Sequence, residues 1–154
     1  MREYSDVQLD AAIGNTFGLD RQLIRDRTYF AVESASGLIA CGGWSRRNAR
    51  FGADNLAGIE AMELDPARDA ARIRAFFVHP GWHRRGIGRA LLAHCEAAAA
   101  AGGFDRLELM ATLPGVPLYE ACGFTADATV YHTLPDGTKI ELIPMRKSLG
   151  SGAD

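Results

Sequence analysis

Residues 71–112 constrain this chain most, because two strand-like runs there flank one strongly helical run. "ARIRAFFVHP" (71–80) carries Ile, Val and two Phe and stops at Pro80-Gly81, which reads as a strand and its end. "GIGRALLAHCEAAAAAGG" (86–103) is dominated by alanine and leucine, strong helix formers, and Gly102-Gly103 supply its stop. Ile87, Leu91, Cys95 and Ala98 recur at helical spacing, which predicts one buried face. "DRLELMAT" (105–112) alternates Leu107 and Leu109 with Arg106 and Glu108, the pattern of a half-buried strand. Strand, helix and strand in that order predict a right-handed crossover between parallel strands.

The flanks add antiparallel hairpins. "TYFAVE" (28–33) and "LIACGGWS" (38–45) surround the turn "SASG". "ATVYHTL" (128–134) and "TKIELIPMRK" (138–147) surround "PDG". Gly42 and Gly43 inside a strand predict a bulge or a close approach to the backbone. Upstream, Ser5 with Gln8 forms a capping-box pattern that starts a helix, with Leu9, Ala12 and Ile13 as its inner stripe. "LDRQLIRD" (19–26) predicts a second short helix capped by Asp20. "LPGVPLYEACGF" (113–124) predicts a loop and a short helix around Leu118–Cys122. The sum is a single α/β domain on a mixed sheet, over residues 1–147, with a tail at 148–154. Residues 46–70 form a connection long enough to suggest function or a solvated loop.

Composition narrows the classes. A net charge of -2 over 154 residues gives no general pull toward nucleic acid or anionic membrane. Three widely spaced cysteines, Cys41, Cys95 and Cys122, form no metal-binding pattern and fit buried thiols in a reducing compartment. No apolar run reaches the roughly 18 residues of a membrane span, and the first residues lack the apolar core of a signal peptide. The expectation is a cytoplasmic protein with no metal, no nucleic acid and no membrane partner.

"HRRGIGRALL" (83–92) lies where the strand turns into the helix. The first turn of a helix carries amides without intrahelical partners, and its dipole favours an anion there. Gly86 and Gly88 bring no side chain, and Arg84, Arg85 and Arg89 add charge. This chemistry suits a pyrophosphate. A phosphate loop of the GxxxxGK[ST] type fails because no Lys-Ser or Lys-Thr follows, and a GxGxxG dinucleotide fingerprint fails because Leu91 stands at the third position after Gly88.

The run "FFVHPGWHRRGIGRALL" resembles the acyl-coenzyme A motif of the GNAT N-acetyltransferase superfamily, whose loop is Q/R-x-x-G-x-G/A after a strand ending in V-x-P. His83 stands where that family has Gln or Arg. "ATLPGVPLYEACGF" is similar to the family's later N-x-x-A-x-x-L-Y-x-x-x-G-F run, with Thr112 in place of Asn and Gly115 in place of Ala. The resemblance covers roughly residues 28–147. It implies the GNAT acyltransferase fold, a mixed sheet splayed between the strands at 71–79 and 105–112, with the family's N-terminal edge strand missing. A sheet short of that strand exposes backbone groups, so a homodimer is expected.

The resemblance also implies acetyl-CoA in the splay. Its pantetheine would run along Phe77, Val78 and His79, and its pyrophosphate would lie on His83, Arg84, Arg85, Gly86, Ile87, Gly88 and Arg89. Thr112 would contact the coenzyme and Tyr119 would protonate the departing sulfur. The reaction implied is N-acetylation by direct attack of a primary amine, of a small molecule, in a ternary complex. A free alkylamine, with a pKa of about 10.4, needs a base at neutral pH. His79, His132, Glu108 and Asp69 are the candidates, none singled out by the sequence. Asp54, Glu60, Glu63 and Asp65 are acidic groups able to attract a cationic amine, and Trp44 and Arg47 are placed as candidates for the acceptor side. Acetylation of a peptide or protein amine, and a non-catalytic acyl-CoA-binding or sensing module, stay open as alternatives. A nucleic-acid domain using Arg84, Arg85 and Arg89 lacks the interleaved aromatic platform.

Overall fold

The computed structural model describes residues 3–13, 19–49 and 62–150. In chain order these form α1 (Asp6–Ala12), α2 (Arg21–Asp26), β1 (Tyr29–Ser34), β2 (Gly37–Ser45), β3 (Ala71–Val78), α3 (Ile87–Ala101), β4 (Arg106–Ala111), α4 (Val116–Ala121), β5 (Thr125–Ala126), β6 (Val130–Thr133) and β7 (Lys139–Ser148). The sheet runs β1-β2-β3-β4-β7-β5, and β6 also pairs with β7. Its one parallel pair is β3 with β4, across the α3 crossover; the other pairs are antiparallel. This is the mixed sheet the sequence predicts. Among the described residues no strand precedes α1.

Local chemistry accounts for the helix limits. Ser5 and Gln8 exchange the two bonds of a capping box at α1. Asp20 accepts from the Leu23 amide and starts α2. Gly102 caps the end of α3, and Gly103 follows at φ +95°.

Two apolar clusters cover the two faces of the sheet. One joins Ile73, Leu107, Leu109 and Ala111 to Leu92, Cys95 and Ala99 of α3 and Tyr119 of α4. The other joins Ile140 and Leu142 of β7 to Ala12 of α1, with Met110 packed against it. Two expected faces shift. Leu9 of α1 and Ile13 just after it are exposed, and Ala12 alone is buried, because the helix touches the β6–β7 hairpin over a narrow line. On α3, Leu92 and Ala99 are buried with Leu91 and Cys95, while Ile87 and Ala98 are only half-buried.

The long connection leaves β2 in a defined way. Leu64 N–H donates to Arg46 O (2.6 Å), Asn48 N–H donates to Met62 O (2.9 Å), and Arg47 and Glu63 form a bridge. Asp54 and Glu60 lie outside the described residues.

Two irregularities shape β3. Pairing with β4 is confined to Ala71 opposite Leu107 and Arg72 opposite Glu108, and beyond these the strands part. On its other side, Cys41 faces Phe77 and Gly43 faces Arg74, so Gly42 alone opposes Ala75 and Phe76. That is a β-bulge, and Ala75 adopts φ +55° to make it.

Candidate active site

The parting of β3 and β4 opens a V-shaped cleft whose β3 wall keeps unspent backbone groups. His79 N–H donates to Ile39 O on the β2 side, at 2.8 Å. Alternation along an extended strand therefore turns the Val78 amide the other way, into the cleft. His83 Nε2 lies 3.1 Å from Val78 O. His79 itself is a turn-former: its Nδ1 accepts the Gly81 amide at 3.0 Å and caps the 3-10 turn Pro80–Trp82.

The glycine turn follows. Arg84 adopts φ +61° and Gly86 φ +80°, and together they reverse the chain into α3. No side chain caps the helix, so its first-turn amides keep no partner from that source. The space where a Gly86 Cβ would stand is open to 4 Å. Gly88 differs: a Cβ there would lie 3.0 Å from Leu118 and 3.6 Å from Val78. Its glycine serves close packing, and it brings the end of β3, the start of α3 and α4 together at one end of the cleft. Arg85 stacks over Trp82 at 4.8 Å, and the Arg89 guanidinium reaches Ala121 O at 3.5 Å. An uncapped fifteen-residue helix behind an open glycine turn fits a pyrophosphate.

Tyr119 is buried beside this junction, in edge contact with Phe76 and Phe124. Burial pushes its phenol above the ordinary tyrosine range, with Cys95 and Cys122 adding in the same sense. The phenol is therefore protonated at neutral pH. A Cβ at Gly115 would stand 3.2 Å from both Thr112 Oγ1 and the Tyr119 ring, so the glycine found in place of Ala goes with this local packing.

The two residues expected on the acceptor side sit elsewhere. Trp44 is buried in the core against Phe104, opposite Ile73 rather than opposite the open end of β3. Arg47 is held by Asp26, Nε to Oδ2 at 2.8 Å and a second bond at 3.1 Å. A polar residue at the end of a hairpin strand carries no signal that separates solvent, core and site. Among the candidate bases, Asp69 accepts the Asp65 amide in a surface turn, and Glu108 is ion-paired with Arg72.

A groove missing from the sequence reading lies on the sheet face that carries α1. It has a volume of about 200 Å³ and is lined by Arg72, Glu108, Met110, Asp127, Val130 and Pro144 among others. The alternation in "RLELMA" carries its signal, since Glu108 and Met110 must share the face opposite Leu107 and Leu109. A larger open cavity of about 680 Å³ adjoins it at the closed end of the V. Its cations are matched by carboxylates: Arg72 by Glu108, Arg106 by Asp105 (3.1 Å), Arg146 by Asp127 (3.4 Å), Lys147 by Glu96 (2.8 Å) and Arg68 by Asp65 (3.6 Å). It is a charge-balanced surface rather than an anion site. No cluster able to hold a metal ion occurs among the described residues, and no helix among them is long and apolar enough to cross a membrane.

A mixed sheet splayed between its parallel strands, with the uncapped start of α3 at its mouth, is the frame of the site. The GNAT acetyltransferase domain matches residues 25–126, well over half of the chain, and the chain belongs to this family of acetyltransferases. Curated protein sequences give no match. Solved structures share the fold at low identity. The yncA protein of Salmonella typhimurium, solved with its cofactor acetyl-CoA, is 18% identical with a TM-score of 0.58, over 82% of this chain and 66% of that one. Ribosomal-protein-alanine N-acetyltransferase from Brucella melitensis is 17% identical with a TM-score of 0.62, over 96% and 98%. Ard1 from Thermoplasma volcanium is 17% identical with a TM-score of 0.62, over 97% of each chain.

Proposed function

We propose that the chain transfers an acetyl group from acetyl-CoA to a primary amine of a small molecule, by direct attack within a ternary complex. One observation carries the donor side: the open, uncapped start of α3 stands at the mouth of the only parallel splay in the described sheet. Acetyl-CoA, when bound, supplies the acetyl group as a thioester. The amides from Arg84 to Arg89 hold its pyrophosphate, with the three arginines at the sides. The β3 edge at Phe77 and Val78 takes the pantetheine as an added strand. The Val78 amide points to where charge develops on the thioester oxygen, and one such donor is worth about 3 kcal/mol. The neutral amine attacks the carbonyl, and the C–S bond breaks as the C–N bond is completed. Tyr119 gives its proton to the departing sulfur, and the proton shed by nitrogen returns through solvent to the tyrosinate. The burial of Tyr119 beside the start of α3 supports this role.

The amine enters from the groove beside Glu108 and Met110. Its small volume suits a small amine. The test is incubation with acetyl-CoA and a pooled panel of small amines and short peptides with free N-termini, following thiol release. Turnover of a specific small amine supports the proposal. Turnover of peptides alone moves the acceptor class to peptide amines. Tight acetyl-CoA binding with no turnover across the panel would instead make the chain a binding module.

A further inference from the structure

Gly42 and Phe76 connect the β3 bulge to Tyr119. A Cβ at Gly42 would lie 2.3 Å from Phe76 Cδ2 and 2.9 Å from its Cγ, so the ring as a whole, not a movable tip, fills that space. The same ring meets Tyr119 edge to face, with centroids 6.4 Å apart and planes at 62°. Phe124 makes a like contact at 5.8 Å. A methyl group at Gly115 would crowd the phenol ring, 3.2 Å from its Cε2. The bulge itself is supported from β1, where the Tyr29 hydroxyl donates toward Ala75 O at 3.4 Å. The bulge thus fixes where Phe76 can lie, and Gly42 supplies its seat.

We propose that Phe76, seated on Gly42, is a positioning residue that sets where the Tyr119 hydroxyl is presented in the cleft. This rests on reading Tyr119 as the proton donor to the coenzyme sulfur. A misplacement near 1 Å costs a reaction about 10²-fold. A ring pushed off Gly42 moves toward Tyr119 and displaces the hydroxyl.

Coenzyme A itself is the probe, and no acceptor is needed. The ultraviolet absorbance of its thiolate gives the thiol pKa in the complex. A donor aimed at the sulfur lowers that pKa, so Tyr119→Phe raises it by about one unit, a tenfold change in the thiol equilibrium. Gly42→Ala and Phe76→Leu each raise it by part of that shift, with the dissociation constant for coenzyme A unchanged. Neither adds anything in the Tyr119→Phe background. Gly42→Ala combined with Phe76→Leu behaves as Phe76→Leu alone, since the ring struck by the new methyl is gone. Phe76→Leu leaves the backbone untouched and carries the test if Gly42→Ala does not fold. An unchanged pKa in Tyr119→Phe sinks the donor reading and the positioning role with it. A raised pKa there, but none in the Gly42 and Phe76 variants or shifts equal with and without the phenol, overturns the positioning role alone.

Discussion

Arg74 of β3 and Asp20 at the start of α2 form an ion pair almost wholly removed from solvent, Nε to Oδ2 at 2.9 Å. Asp20 uses its other oxygen to cap α2, and Arg74 also donates to Ala49 O. The pair therefore ties the short helix to the residue just before the bulge. Asp20→Asn separates the two roles, because asparagine caps as well as aspartate. It leaves a buried guanidinium without a counter-charge, at a cost of about 3–5 kcal/mol. The melting temperature should fall by about 10 °C. A calorimetric shift within a few degrees would mean that the guanidinium is solvated in the native state.

Tyr119→Phe removes one hydroxyl from an otherwise unchanged packing site. Loss of a general acid lowers kcat about 10²-fold. Acetyl-CoA binding, measured by calorimetry, should be near normal, because the phenol acts only as the thiolate leaves. An unchanged kcat would take Tyr119 out of the mechanism.

How far the sequence reaches is seen by comparing residues. Ser5, Asp20 and Gly102 mark helix ends through bonds within a few residues, so their roles are readable locally. The alternation of Leu107 and Leu109 and the glycine turn are likewise local and legible. Gly42-Gly43 marks the bulge without placing it at Ala75, because the residue that bends lies on the partner strand. Trp44 shows the limit: hydrophobicity predicts burial, but position along a hairpin does not say which end of the sheet a side chain occupies. The groove at Glu108 and Met110 depends on four strands meeting, and no single segment encodes it.

Gly86 and its phosphate role can be tested by paired substitutions. Its φ of +80° disfavours any side chain, so Gly86→Ala costs about 1–2 kcal/mol of stability although its Cβ meets nothing. Gly86→Glu carries the same strain and adds a negative charge at the helix start, where the dipole favours an anion of the ligand. Acetyl-CoA at 100 times its dissociation constant stabilises a protein by about 2.7 kcal/mol. That thermal shift should survive in the alanine variant and vanish in the glutamate one. An equal shift in both would refute the assignment of the turn to pyrophosphate.

Cys95 is fully buried on the inner face of α3, and burial pushes its thiol up to about 12, with Glu96 adding to the effect. At pH 8 its thiolate fraction is on the order of 10⁻⁴. Cys41 and Cys122 are partly exposed. A chromogenic disulfide reagent should therefore titrate two thiols in the native protein and the third only with denaturant. Three thiols reacting at one rate would mean that α3 opens readily from the sheet.

Asp26 accepts two bonds from Arg47, and this contact with the guanidinium holds its carboxyl below the usual aspartate range, against the opposing effect of burial. A carboxyl whose folded pKa is depressed contributes stability that is complete above its unfolded value, near 3.8, and is lost as pH falls through the folded value. Asp26→Asn removes the charge at every pH. At pH 7 the variant should be less stable than the wild type by about 2 kcal/mol, the range for a hydrogen bond to a charged group. As pH falls below 4 toward the depressed folded value the two melting temperatures should draw together, since the unfolded carboxyl takes up its proton first and the folded one only lower down. A difference that stays constant from pH 7 to pH 3 would show that the loss comes from packing around α2 and not from the ion pair.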